Sequence, residues 1–277
     1  MKPHAPEGPG TPGAAQALAA GARPHGVLAR LEDAGRGVAT GLLGAGRGLL
    51  GGLREAGLHF GRGMQQLAEG RPLAALGSVG RSLLQLAQGP VDAGLLVGGR
   101  LLGALQTLVG LEPPGRRLRA DEVALAQGIF GSGLDLYAVR IKEGPAGLFS
   151  VSRRAFTLGN TVYVPPGSVP IAPGLLVHEL THVWQYQHGW PDYLSEALWA
   201  QYAGDGYDWR KGLAEGKRWE ALNPEQQAEL LEQAFLAGVL PPRLPPTPQQ
   251  LAQGWTAERL AYLHQVLQGL PHGHGAP

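Results

Sequence analysis

His178 and His182 stand four residues apart, with Glu179 directly after the first histidine, inside the run "LLVHELTHVWQYQHGW" (175–190). On an α-helix, side chains four positions apart lie one above the other. This spacing therefore turns two imidazoles to one face, as a zinc ion needs from two nitrogen ligands. Glu179 is one position round the helix from His178, which sets its carboxylate beside the metal, where it can take a proton from a zinc-bound water. The flanking Leu175, Leu176, Leu180, Val183 and Trp184 are apolar and Thr181 is uncharged, so the helix is a buried one with polar groups on one side. A buried His-Glu-His face with no ligand would leave several polar groups to satisfy, at considerable cost. The chemistry these residues predict is zinc-assisted hydrolysis of a peptide bond, with Glu179 as the base.

A catalytic zinc takes three protein ligands, and the sequence offers two answers for the third. His188 lies six residues beyond His182, the spacing of an extended motif in which a glycine between them turns the chain out of the helix. Here that position is Gln185, and a residue with a Cβ resists the positive φ that such a turn needs. If the helix continues, six residues amount to about 600° and rotate His188 away from the ligand face. The methionine turn that accompanies the motif is missing too, since the only methionines are Met1 and Met64. Glu196 is the stronger candidate. The helix end near His188 is about 9 Å from His182, and Glu196 is about 7.5 Å from Pro191, so an antiparallel partner helix would bring both to one level. Asp192 sits at a helix start, and Asp205 and Asp208 in a Gly-rich loop, which makes them weaker candidates. As donor to a developing oxyanion, Tyr193 lies on the same face as Glu196, with Tyr202 and Tyr207 as rivals.

The rest of the chain must position this helix. With 277 residues, of which 44% are hydrophobic, the chain has enough apolar material for a sizeable core in one or two domains. A formal net charge of +1 leaves no electrostatic footprint for nucleic acid. The absence of cysteine excludes disulfides, thiolate catalysis and Cys-ligated zinc. The amino terminus lacks the apolar core of a cleaved export signal, so synthesis in the cytoplasm is expected, with delivery outside the cell left to a machine that needs no such signal. Glycine is concentrated before Pro113, whereas every tryptophan and tyrosine follows it. Before that point "AGRGVATGLLG" and "AGRGLLGGLRE" form an approximate eleven-residue repeat, close to three helical turns, and glycines recur four apart. Such ridges suit close helix contact. The competing reading, a loosely stable helical segment, is preferred, because each interior Gly costs a helix about 1 kcal/mol relative to Ala. Asp92 and Arg100 interrupt the most apolar stretch short of the ~20 residues a span requires, so a packed or interfacial helix is expected in place of a transmembrane one, and membrane contact stays open without being favoured.

Three units follow: a Gly/Ala/Leu-rich helical or partly disordered region (1–112), a compact mixed domain (116–236), and a Pro-rich linker with a last amphipathic helix (237–277). Within the second, "RADEVALAQGIFG" reads as a helix, and "AFTLGNTVYVPPG" as two short strands joined at Gly159-Asn160. The hairpin around Thr161–Val164 would offer an edge for an extended peptide, with Arg153 and Arg154 beside it. Gly189 caps the histidine helix, "PDYLSEALWAQYAG" forms the next, and Asn223-Pro224 with Gln226 open a third.

Three stretches, "SRRAFTLGNTVYVPPG", "LLVHELTHVWQYQHG" and "SEALWAQYAGDGYDW", resemble the zincin-type domain often called the extracellular contractile-injection-system core domain, which includes Vgr-related proteins. The resemblance covers roughly residues 117–236, is strongest over 151–209 and is absent from the first hundred. It implies an α+β, zincin-like metallopeptidase fold associated with phage-tail-like or secretion machines, and no particular substrate. In such domains the acidic ligand after the histidines is placed variably, so Glu196 rests on the helix arithmetic. The expectation is a zinc peptidase bound by His178, His182 and Glu196, acting on a peptide or protein and working with an injection or secretion apparatus. The alternative is a catalytically idle, metal-bearing docking protein of such a machine.

Overall fold

The computed structural model describes residues 26–152, 154–189, 195, 206–241 and 243–276. Glycine-rich sequence builds its first two elements, α1 (Val27–Ala68) and α2 (Pro72–Val109), which pack against each other as an antiparallel hairpin. The seam is made of small residues. Gly41, Gly44, Ala45, Gly48, Gly52 and Ala56 of α1 are buried, and a Cβ on Gly41 would come within 2.9 Å of the Arg100 Cβ. The glycine ridges thus act as contact surfaces between two continuous helices, in place of the loosely stable segment that propensity alone favours. Packing outweighs the intrinsic cost of glycine because the backbones approach closely along the whole seam.

The remainder is α+β. Helix α3 (Ala120–Phe130) starts with the Glu122 carboxylate accepting the Arg119 backbone N–H at 2.7 Å. Strands β1 (Arg140–Glu143), β2 (Phe156–Leu158) and β3 (Thr161–Val164) form a mixed sheet in the order β1-β3-β2. β2 and β3 pair antiparallel, with Phe156 opposite Tyr163, across a turn in which Gly159 adopts a φ of +60°. This is the expected hairpin. Its second strand is not an edge, however: β3 is paired on its other side with β1 in parallel, Ile141 opposite Val162, and all four of its residues are buried. The edge strand of the hairpin is β2. A parallel partner brought back from before the hairpin leaves no local signal in the sequence, so hairpin chemistry could not place it.

Helices α4 (Pro173–Gly189), α5 (Trp209–Ala214), α6 (Pro224–Leu236), α7 (Pro248–Ala252) and α8 (Ala257–Gly269) complete the fold. One apolar cluster gathers Ile141 and Val162 of the sheet, Leu176, Leu180 and Trp184 of α4, and Leu230 and Leu231 of α6. The last forty residues join it through Trp255, Leu260, Leu263 and Leu270, and the Trp184 indole N–H donates to the Leu270 carbonyl at 2.9 Å. A smaller cluster of Leu96, Ala146, Leu158 and Tyr163 seats α2 on the sheet.

The hairpin is also fixed electrostatically. Lys142, on β1, is 6% exposed and its ammonium reaches Asp33 of α1 at 2.8 Å, the fully buried carboxylate of Glu112, and the Thr107 hydroxyl at 2.7 Å. A buried ammonium stripped of its carboxylates is costly. Glu112→Ala is therefore expected to destabilise the protein by about 3–5 kcal/mol, read as a shift in the denaturant midpoint, whereas the exposed Glu220→Ala should change it by less than about 0.5 kcal/mol.

Candidate metal centre

Helix α4 runs unbroken through Gln185 to Gly189, so His178 and His182 share one face as their spacing requires. Both are buried, at 7% and 6% exposure, and their Nε2 atoms lie 3.3 Å apart. The carboxylate between them comes from α6. Glu225 Oε2 is 3.3 Å from His178 Nε2 and 3.6 Å from His182 Nε2. Metal–nitrogen bonds of about 2.0–2.1 Å in a tetrahedron separate the donors by about 3.3–3.4 Å, so the three atoms already stand at the spacing a divalent ion requires.

Other groups hold the imidazoles in this orientation. Gln185 Oε1 meets His182 Nδ1 at 2.8 Å, while the Gln185 amide donates to the Pro224 carbonyl and to Gln227 Oε1. With its amide nitrogen committed as donor, the Gln185 oxygen must accept. His182 then carries a proton on Nδ1, which leaves Nε2 as the ring atom that faces Glu225. Glu232 Oε2 sits 3.0 Å from His178 Nδ1 and fixes that ring in the same sense. Since His178 meets Glu232 while Gln185 meets Pro224, α4 and α6 run antiparallel. Glu225, Glu229 and Glu232 are spaced to share one face of α6, and the described residues that could hold a cation are His178, His182 and Glu225, or His178 with Glu229 and Glu232.

Asn223 caps α6 by accepting the Gln226 N–H at 2.8 Å, and the Gln226 side chain accepts the Asn223 N–H in return. Glu225 is thus in the first turn, where the positive end of the helix dipole favours its charge. Burial opposes ionisation of Glu225, but His182 and His178 outweigh it and hold the carboxyl well below the usual carboxylate range. Burial likewise disfavours a proton on His178, yet Glu225, Glu232 and Glu179 reverse this and push it up to about 10. The site is a negatively charged enclosure that calls for positive charge.

Glu179 points towards the sheet. Its Oε2 accepts the Thr157 hydroxyl, on β2, at 2.8 Å, and burial pushes its carboxyl up from the ordinary value. Tyr207 is close by, its ring 6.1 Å from that of His178, and burial, then the charge of Glu225, push its phenol up to about 12, so that it stays protonated at neutral pH. Arg154 is hydrogen-bonded to the same phenol.

Among the sequence-predicted residues, His178, Glu179 and His182 are brought together. Glu196 and Tyr193 lie outside the described residues, as do Tyr202, Asp192 and Asp205. His188 is turned away, its Nε2 on the Gly133 carbonyl at 2.5 Å, and Asp208 caps α5 by accepting the Lys211 N–H at 3.0 Å. Glu225 was missed. Its signal is the spacing of the acids at 225, 229 and 232, four and three apart, but the arithmetic that points to Glu196 pairs α4 with its neighbour in sequence, and α6 is a more distant partner.

Residues 121–190 match the eCIS core domain. The chain is also 30% identical, over 151 residues, to the type VI secretion system spike protein VgrG2b of Pseudomonas aeruginosa. That alignment takes in 50% of this chain and 14% of the relative, so the chain corresponds to a small part of the spike protein. No solved structure matches. The chain is therefore similar to proteins of contractile injection and secretion systems, and the eCIS core match takes in the segment that carries the histidines.

Each donor should be needed for metal. His178→Ala, His182→Ala and Glu225→Ala are expected to abolish stoichiometric binding in metal analysis of the purified protein, and Gln185→Leu to weaken it about 10–100-fold, because it releases the ring of His182. Since His178 holds its proton up to about pH 10 without a cation, metal binding at pH 7 should release at least one proton per ion, measurable by calorimetry in buffers of different ionisation enthalpy.

Proposed function

We propose that this chain is a zinc-dependent peptidase with a zincin-like site, working in the setting of a contractile injection or secretion system. The observation that carries the reading is the convergence of His178 Nε2, His182 Nε2 and the Glu225 carboxylate at tetrahedral spacing, next to a fourth buried group, Glu179, that is not one of them. Two histidines and a carboxylate from a separate helix are a donor set suited to zinc that keeps one position open for chemistry.

Zinc, when bound, would polarise the scissile carbonyl and make a water nucleophilic near neutral pH. Glu179 takes the proton of the attacking water and returns it to the leaving amine. Its burial keeps it basic enough for the first transfer, and the Thr157 hydroxyl holds it in place. The protonated phenol of Tyr207 donates to the oxyanion as the carbonyl carbon becomes tetrahedral. Strand β2, whose outer side is the hairpin edge of the sheet and whose Thr157 touches Glu179, is the place where an extended peptide would be held as an added strand. The similarity to a spike protein supports delivery outside the cell by such a machine, and it also favours a second reading, a metal-bearing docking module in which Glu179 does no chemistry.

The two readings part at Glu179. Glu179→Gln should keep metal and fold, since the residue is not a ligand, while cleavage of a broad peptide library falls by roughly 10²–10⁴-fold. Equal cleavage by variant and parent would remove Glu179 as the base. No cleavage by the zinc-loaded parent would favour the docking reading.

A further inference from the structure

The hairpin is apolar on the wrong side. Its small residues face inward, and most of the exposed large hydrophobic side chains among the described residues lie on α1 and α2, with exposures from 39% at Leu49 to 85% at Leu73. At 100° per residue, Leu31, Leu42, Leu49, Leu53, Phe60 and Leu67 of α1 fall within an arc of roughly 40°, flanked within about 40° by Val27, Leu28 and Met64, while Leu43, Leu50 and Leu58 lie off it. Those of α2 spread over about 180°, with Leu76, Leu83, Leu101, Leu105 and Leu108 within roughly 60° near its middle. The residues that dock α1 on the domain, Asp33 through Lys142, Thr40 through the Tyr186 hydroxyl and Gly44 beneath the Tyr186 ring, lie about 160–180° from its leucine arc. The leucine face therefore looks away from the metal centre. Monomeric proteins rarely leave a contiguous apolar surface of more than about 300–600 Å², and a face running the length of two helices of 42 and 38 residues goes beyond that.

We propose that this face lies on an anionic lipid bilayer, holding the domain on the water side. Charge decides for lipid over a second copy of the chain. Between residues 45 and 87 the hairpin carries Arg47, Arg54, Arg62, Arg71 and Arg81 against Glu55 and Glu69, an excess of arginine that exceeds the net charge of the whole chain, +1. At 100° per residue Arg47, Arg54 and Arg62 lie about 120–160° from the leucine arc of α1 and Arg81 about 150° from that of α2. This is the polar-side placement of an interfacial helix, where acidic headgroups give them opposite charge; a second copy seated on the leucines would offer them none. Shape points the same way. The leucines of α1 are interrupted at eleven-residue steps by Gly35, Gly46 and Gly57, and those of α2 by Gly80, Gly94 and Gly98, and a Cβ on any of these would meet nothing within 4 Å. A protein partner would need a matching knob for each dent, while fluid acyl chains fill dents of any shape.

The geometry also sets the mode of contact. No described helix is long and apolar enough to cross a membrane, so the hairpin lies in the interface. Among the described residues, its hydrogen bonds and ion pairs to the rest of the chain come from before residue 45 or after residue 87. The stretch between them is an arm of roughly 35 Å with its leucines on one side and its arginines on the other.

Flotation of the full chain with vesicles tests the proposal. The chain should rise with phosphatidylcholine–phosphatidylglycerol vesicles, stay largely behind with phosphatidylcholine alone, and be released from the anionic vesicles by salt. Leu49→Ser with Leu53→Ser, both at exposed positions, should remove binding while circular dichroism shows unchanged helicity. Arg54→Gln, Arg62→Gln and Arg81→Gln together should lower the partition coefficient on the order of a hundredfold. Failure of the parent to float with anionic vesicles overturns the proposal, as does equal flotation with neutral ones. A chain that stays off the vesicles and forms a dimer in light scattering, made monomeric by the two serines, would assign the face to a second copy. Glu179→Gln should float like the parent, so this outcome is independent of catalysis.

Discussion

A carboxylate buried between two imidazoles is the constraint on which the domain depends. Taking an ionised carboxylate out of water costs several kcal/mol unless positive charge meets it, and Glu225 is 1% exposed. In the absence of a cation the demand falls on His178, which Glu225, Glu232 and Glu179 drive to hold a proton far above the ordinary histidine range. A divalent ion would meet the same demand with both imidazoles neutral. Everything that sets the antiparallel contact of α4 and α6 serves this arrangement. The Gln185 amide ties the two helices at Pro224 and Gln227, and the tryptophan cluster behind them, Trp184 against Trp219 at 6.1 Å, fixes the face that α4 turns outward.

Gln185 shows how one substitution in a motif changes what a residue does. A glycine at that position would allow the chain to leave the helix and bring His188 round. Glutamine keeps α4 straight, sends His188 to Gly133, and becomes the group that orients His182. A third donor to a cation would then have to come from another helix, and Glu225 of α6 is placed to be one.

The hairpin and the domain are built on opposite principles. The domain buries its large apolar side chains, whereas the hairpin buries glycine and alanine along its seam and exposes leucine. Helix pairs with a small-residue seam gain close backbone contact and give up the hydrophobic burial that usually holds two helices together. The hairpin is held to the domain at its base, by Lys142 between Asp33 and Glu112 and by Asp92 accepting both the Ser195 backbone N–H at 2.8 Å and its hydroxyl at 2.9 Å. Asp92 and Arg100, which interrupt the most apolar stretch of the sequence, are the residues that face the domain. Arg100 donates to Thr161 of β3 at 2.6 Å.

By itself the sequence determined the features that depend on neighbours along the chain. The face shared by His178 and His182, the adjacent carboxylate of Glu179, the turn at Gly159, the cap at Asn223 and the end of β3 before Pro165 all follow from backbone geometry within a few residues. Only the tertiary structure decided which distant groups meet. Glu225 reaches the histidines because α6 packs against α4 across the thirty-four residues between them, β3 lies inside the sheet because β1 returns beside it, and the hairpin leucines are exposed because its glycines take the seam. Periodicity states that a helix has faces. Which face is buried is settled by the free energy of all the contacts together, and no local pattern contains that sum.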